Sequence, residues 1–399
     1  MKHFILITIT TLGLAMSNNV PVWADDASVP IYLGTYTRGA DGAKGIYLTF
    51  LNSQDGGLTE PKLVAEVSNP AFLAKHPTLP RLYAITEGGQ GGSPIHAFAI
   101  DPATYTLTKL NEQIVPARGA CHLGVFVLPP TFGEPQDSEF SGKYAVIVAF
   151  YGEGAVASLP LSDDGQLNPY ASIHKHVGSG PTQRQQQPHA HAVYYIAGLH
   201  GRVVVPDLGA DKLFCYTING EGQLSPAGGL KVPPGSGPRH AAFITKERMQ
   251  TWLFILNELN STICVVFSDV LSPLPQPNFV IVQTISTLPE GKVVEGNSTA
   301  AIFLHPNGRF LYASNRGDDS IALFHFDAEK RQLAFIETVP SGKHPRSFDI
   351  SPDGKWLIAA AMHDDAVTTF RIDPDTGRLM PTGHSISVKQ PACVLPIVL

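Results

Sequence analysis

The stretch HPNGRFLYASNRGDDSIALF, from His305 to Phe324, decides the fold because the chain says it twice. Counted from Pro306 to Pro352, 46 residues later, the sequence reads SPDGKWLIAAAMHDDAVTTF. The Pro-x-Gly-Lys/Arg-aromatic-Leu opening, the Asp-Asp pair and the final Phe all recur. Within that shared frame Arg316 stands in one copy where Met362 stands in the other.

Working outward, the same unit recurs along the chain: a small-residue apolar strand, a Pro/Gly turn, a second apolar strand ending in a polar loop, a third strand and a charged turn. Copies begin at Pro70, Cys121, His189, Pro238, Thr299 and Pro345. A partial copy starts at Tyr32, and the terminal PACVLPIVL reads as its missing first strand. Seven units of roughly 45 to 70 residues match the period of propeller blades. The expected fold is therefore all-β, a seven-bladed β-propeller whose ring is closed by the C-terminal strand joining the N-terminal blade. Such closure removes two exposed sheet edges. The strands are β-branched or aromatic and bounded by Gly, Pro, Asn and Asp, so the 37 glycines and 33 prolines read as turn residues. Two insertions interrupt the pattern, Thr131 to Gly142 and the Gln-rich VGSGPTQRQQQP from Val177 to Pro188. The second reads either as a flexible linker or as a loop bordering a site.

Residues 1–24 resemble a secretory signal: Lys2 and His3 precede the uncharged FILITITTLGLAM, and a polar segment ends at Ala24. Its apolar run falls short of the roughly 20 residues that cross a bilayer. The expectation is a mature propeller domain of residues 25–399, periplasmic or secreted, with no membrane span after cleavage. With 28 basic and 34 acidic residues and a net charge of −6, the chain lacks the basic footprint of a nucleic-acid binder. Cys121, Cys215, Cys264 and Cys393 sit in apolar strand-like stretches and read as buried thiols.

In a propeller, the start of each innermost strand and the loop after the second strand share one face, so residues from different blades meet around one funnel. Starts of innermost strands carry His122, His189, His191, Arg239, His240, Thr299 and Arg346; the loops carry Glu87, Glu153, Asp207, Glu258, Arg316 and His363. Asp207, Glu258, Arg316 and Met362 read as equivalent positions with different chemistry, which marks the deviations from the repeat as the site. Each has a structural alternative. Asp207 and Asp318 suit turns, Arg239 and Arg316 suit ion pairs, and the His189-x-His191 pair could face a metal, although no acidic partner or CxxC spacing supports one. The expected set contains no metal and no cofactor. No Gly-x-Ser-x-Gly elbow implies a serine nucleophile.

HAHAV with VPDLGADKL, SGPRHAAF with LNELNST, PNGRFLYASNRGDDSIALF and PRSFDISPDGKWL together resemble the seven-bladed lactonase family, which includes propeller-type 6-phosphogluconolactonases and fungal carboxymuconate cyclases. The resemblance spans nearly the whole mature chain. It implies a site of one histidine, two arginines and one glutamate, carried onto His191, Arg239, Glu258 and Arg316. Departures are MHDD in the last blade, in place of an Asn-Gln type turn, and the first hairpin insertion. The implied activity is 6-phosphogluconolactonase-like, an exported hydrolase of a sugar-derived lactone in carbohydrate metabolism. Glu258, His191 and Arg239 would be catalytic, and Arg316, His189, Asp207, His240 and Arg346 would hold an anionic substrate. The alternatives are a muconate-type lactonizing cyclase or isomerase, and a non-catalytic ligand-binding propeller.

Overall fold

The computed structural model describes residues 28–399 apart from 40–41, 90, 131–141, 197–198, 200, 246–249 and 269–277. The expected signal segment and nearly all of the first insertion lie outside the described residues.

The described residues form 28 strands, β1 to β28, in seven four-stranded antiparallel sheets. The innermost strands are β4 (Leu73–Lys75), β8 (Ala120–Val127), β12 (Tyr194–Ile196), β16 (Pro238–Thr245), β20 (Thr299–Leu304), β24 (Pro345–Ile350) and β28 (Pro391–Pro396). Ring closure is as the repeat predicts: β28 pairs with β1 (Ser28–Thr35), Leu33 opposite Val394 and Gly34 opposite Cys393. The fourth blade departs from expectation. Its inner strand begins at Tyr194, and His189–His191 reach the rim as a looser segment tied by an Ala190–Asp207 bridge.

Composition follows radius. Inner strands converge on one axis, and some of them carry paired alanines there, as in β20 (TAAIFL) and β16 (PRHAAFIT). Outer strands alternate between half-buried and exposed residues, as in β19 (Phe279–Ser286), where one face meets the next blade and the other meets solvent. Seven apolar clusters hold the ring, one between each pair of adjacent blades. The closing interface packs Ile31 and Leu33 of the first blade on Trp356 and Ile358 of the last. Gly56 sits against that indole at a φ of +79°, where a Cβ would come within 2.5 Å of the ring. All four cysteines are free and buried. Among the described residues no helix is long and apolar enough to cross a membrane.

Candidate active site

One backbone hydrogen bond, repeated in all seven blades, sets the register of the site. Just past the second strand, a residue donates its N–H to a carbonyl at the entry of the inner strand. The pairs are Tyr36 to Gln390, Glu87 to Asn69, Tyr151 to Gly119, Leu208 to His189, Glu258 to Gly237, Arg316 to Ser298, and Met362 to His344, at 2.7–3.2 Å. The donors form an upper ring of side chains. Two residues beyond each acceptor lies a second ring: Ala392, Ala71, Cys121, His191, Arg239, Ala300 and Arg346. Every upper-ring residue except Leu208 lines one mouth cavity of about 450 Å³, and Cys121, His191 and Arg346 of the second ring line it too. Arg316 and Met362 are thus two members of the upper ring, which is why a shared frame tolerates both.

The second aspartate of the repeated pair belongs to that frame. Asp319 and Asp365 hold left-handed turn positions (φ +54° and +51°), as do Asp211 and Ser261 in the two preceding blades. A short polar side chain tolerates this conformation better than a bulky one. Each carboxylate then ties down the entry to the next inner strand. Asp211 accepts from the Gly235 and Gly237 N–H groups (2.7 and 2.8 Å), Asp319 from His344 N–H (2.8 Å) and Asp365 from Gln390 N–H (2.8 Å). Gly237 and His344 stand two residues before Arg239 and Arg346, so the turns fix the chain that carries both guanidiniums.

The blade whose upper-ring residue is the apolar Leu208 receives a replacement from the Val177–Pro188 insertion. A single 3₁₀ turn, Gln183–Gln185, lies over that rim, with the buried Gln185 amide donating to the Leu208 carbonyl at 2.8 Å. This projects Arg184 into the mouth. Its Nη1 donates to Glu258 Oε1 at 2.6 Å and its Nη2 to the Tyr151 hydroxyl at 2.9 Å.

Glu258 is the hub. Besides Arg184, its Oε1 faces Arg316 Nη2 at 3.1 Å, and its Oε2 lies 2.9 Å from Arg239 Nε and 3.9 Å from His191 Nε2. Arg239 Nε does not aim its hydrogen at the carboxylate, so this contact is an ion pair without a hydrogen bond. Arg239 spends its Nη1 on the Ala300 carbonyl, and Arg316 its Nη2 on the Thr299 carbonyl at 2.8 Å. Burial alone would raise the Glu258 pKa; Arg316, Arg239, His191 and Arg184 overcome it and hold the carboxyl ionised well below the usual range. Burial and the neighbouring Arg316 push the Arg239 guanidinium down to about 9. His191 is kept neutral, its pKa driven well below the ordinary value by burial and then by Arg239. Across the mouth, Glu87 accepts from the Tyr36 hydroxyl at 2.6 Å and pairs with Arg38 and Arg346, each at 3.5 Å. Five arginines thus face two glutamates, a local balance of +3 in a chain of net charge −6.

Of the residues predicted from sequence, His191, Glu258, Arg316 and Arg346 line this mouth, and Arg239 reaches Glu258 from the inner channel behind it. Asp207 does neither. It is the last residue of its strand (Arg202–Asp207), one position before the upper ring, and a one-residue slip along a strand turns the side chain away. Its buried carboxylate is consumed by His176 Nδ1 (2.7 Å) and by the His189 and Ala210 N–H groups (2.7 and 2.9 Å). Glu153 is likewise out of register; it pairs outside with Arg118 and Lys175, while Tyr151 takes the rim. His189 stacks on Tyr151 and bonds its carbonyl at 2.8 Å, supporting the wall without lining the cavity. His240 lies deeper, in the channel behind the mouth. His363 stacks on His344 with ring centroids 4.1 Å apart, leaving Met362 on the rim. Among the described residues no group of three or more His, Cys, Asp or Glu is placed to hold a metal ion. Sequence reading missed Tyr36, Tyr151 and Arg184. For the first two, counting back three residues from the positive-φ glycine of each turn, Gly39 and Gly154, finds them.

A seven-bladed propeller with an arginine-rich mouth at one end of its channel is the class of molecule that fold and site define. Residues 30–396 match the family described as Lactonase, 7-bladed beta-propeller, and the chain belongs to that family. It is 34% identical over 366 residues to the 6-phosphogluconolactonase of Bacillus subtilis strain 168, covering 91% of this chain and 97% of the relative. Among solved structures it resembles the periplasmic gluconolactonase of Pseudomonas aeruginosa, with a TM-score of 0.80 at 28% identity over 93% of this chain and 99% of that one. A protein from Lactobacillus plantarum gives the same score and identity, over 93% of this chain and 100% of its own.

Proposed function

We propose that the protein is an exported lactonase that hydrolyses an anionic, sugar-derived lactone at this mouth. The observation that carries the reading is the excess of arginine around Glu258, which calls for a carboxylate or phosphate on the substrate. Relatives named for lactone hydrolysis support the reaction class.

At rest Glu258 is counterion to three guanidiniums and therefore a weak base. An anionic substrate that draws Arg316 and Arg184 onto its own oxygens relieves that pairing, and Glu258 becomes able to accept a proton. Water then attacks the lactone carbonyl, passing its proton to Glu258 as the new C–O bond forms, while Arg239 faces the developing oxyanion. Collapse breaks the ring C–O bond, and the departing alkoxide takes up the proton held by Glu258. Neutral His191, beside the carboxylate, orients the water.

The test is a pH-indicator assay over phosphorylated, carboxylated and uncharged sugar lactones, in which anionic substrates should show the higher kcat/KM. Failure to hydrolyse any lactone, or consumption of a muconate diene instead, rejects the hydrolase. Export is tested separately by sequencing the mature N-terminus, expected near Asp25 and refuted by an intact Met1 on the soluble protein.

A further inference from the structure

Behind the mouth the channel widens again into a second cavity of about 300 Å³. It shares Cys121 and Arg346 with the mouth, is lined as well by Arg239, whose Nε faces Glu258, and continues along the inner strands toward the opposite face. Alanines of those strands, among them Ala241, Ala301 and Ala392, leave it open where larger side chains would fill it. One wall is aromatic: Phe72 lies 4.0 Å from the His122 ring, centroid to centroid, and Tyr194 lies 5.5 Å from that ring.

This cavity carries polar groups that the fold does not use. His122 Nδ1 accepts the Val193 N–H at 3.4 Å, which leaves the proton of the neutral ring on Nε2. Burial and Arg239 keep that imidazole uncharged, its pKa pushed down to about 3. The Tyr194 hydroxyl accepts the Ala241 N–H at 2.9 Å, and its own hydrogen goes to no described residue. Neither ring nitrogen of His240, 5.3 Å from His122 by centroid, is hydrogen-bonded among the described residues. Buried polar groups are normally satisfied. Here a set of hydrogen-bonding groups turned toward a mostly apolar void has the composition of a small-molecule site: apolar walls with a few convergent donors.

We infer that this inner compartment, which adjoins the lactone mouth from behind, is a second binding site, for an uncharged planar ring compound bearing a carbonyl oxygen. The ring would pack on Phe72 and among the alanines, and the oxygen would accept from His122 Nε2–H and the Tyr194 hydroxyl. An uncharged ligand fits because the two histidines that line the compartment, His122 and His240, are neutral, and the two arginines that also line it, Arg239 and Arg346, already face Glu258 and Glu87.

Acetophenone is a suitable probe, followed by saturation-transfer NMR on the intact protein. Saturable binding with a Kd of order millimolar is expected for a molecule of this size. Ala241→Leu, which narrows the cavity, should weaken it at least ten-fold. Tyr194→Phe, which removes one donor, should weaken it about five-fold, the equivalent of one hydrogen bond. Arg316→Lys, at the mouth, should leave it unchanged. The inference is overturned if no saturable binding occurs, or if folded Ala241→Leu and Tyr194→Phe proteins bind as the parent does. Loss of binding in Arg316→Lys overturns it as well, since the probe would then occupy the mouth.

Discussion

Replacing Glu258 with glutamine is nearly isosteric, and by shape alone it should leave the fold untouched. The structure predicts otherwise. Glu258 is the carboxylate that faces Arg184, Arg239 and Arg316; Arg239 is buried and the Arg316 side chain is only 10% exposed. Removing one partner of a buried ion pair costs about 3–5 kcal/mol, because the remaining charge stays desolvated without compensation. For a cooperative unit of about 370 residues, with an unfolding entropy of about 2.1 cal/mol/K per residue, that loss lowers Tm by about 4–6 °C. Scanning calorimetry measures it, and inorganic phosphate should restore more stability to Glu258→Gln than it adds to the parent, by occupying the vacated anion position. Sign and pH window follow from the depressed pKa. The stabilisation from Glu258 is present above its unfolded value of 4.5 and fades as pH falls through the lower folded value, so the parent should lose stability below about pH 4.5 more steeply than the variant. In the same variant kcat should fall at least about 10²-fold. A Glu258→Gln protein as stable as the parent in phosphate-free buffer, with an unchanged acid limb, would refute the counterion role; unchanged kcat would refute the base.

Three further outcomes are expected. Arg316→Lys replaces a planar donor with a point charge and should raise KM about ten-fold while kcat stays within about three-fold, as read from steady-state kinetics on an anionic lactone. Arg184→Gln should narrow the preference for anionic over neutral lactones about ten-fold, while urea unfolding shifts by less than about 0.5 kcal/mol, since Arg184 is half exposed and its ion pair is screened. Asp319→Ala strips His344 N–H of its acceptor and puts alanine at a φ of +54°, which should cost about 1–3 kcal/mol in urea unfolding; Asp319→Asn, able to keep both the turn and the hydrogen bond, should cost less.

The architecture was readable because a propeller repeats its demands. Each blade needs small residues near the axis, a turn that tolerates positive φ and an apolar face for each neighbour, and these recur at a visible period. Ring closure by PACVLPIVL followed from the same count. The candidate site is legible only where a residue breaks the repeat in place, as Glu258 and Arg316 do. In PDLGAD the charge of Asp207 suggests the rim, but alignment on the positive-φ turn residue, Asp211, places Leu208 there. Arg184 was beyond reach for a different reason. It lies on an insertion that matches no blade, so no periodic argument places it, and only the Gln185 contact to the Leu208 carbonyl shows which rim it covers.

That substitution bears on how such a site can change its chemistry. Seven equivalent backbone bonds hold seven rim positions whatever their side chains, since each bond uses only N–H and C=O groups. A rim residue can therefore be exchanged without disturbing the frame that aims it, provided its charge is balanced across the mouth. The balance is where the constraint lies. Glu87 and Glu258 each answer more than one arginine, so altering either acid alone leaves positive charge uncompensated, most severely at Glu258 where Arg239 is buried, whereas Met362 and Leu208 pair with nothing charged. Variation in substrate among proteins of this architecture should accordingly enter through the two apolar rim positions and through the loop that covers one of them, with the two acids held fixed by the electrostatics of the arginines they neutralise.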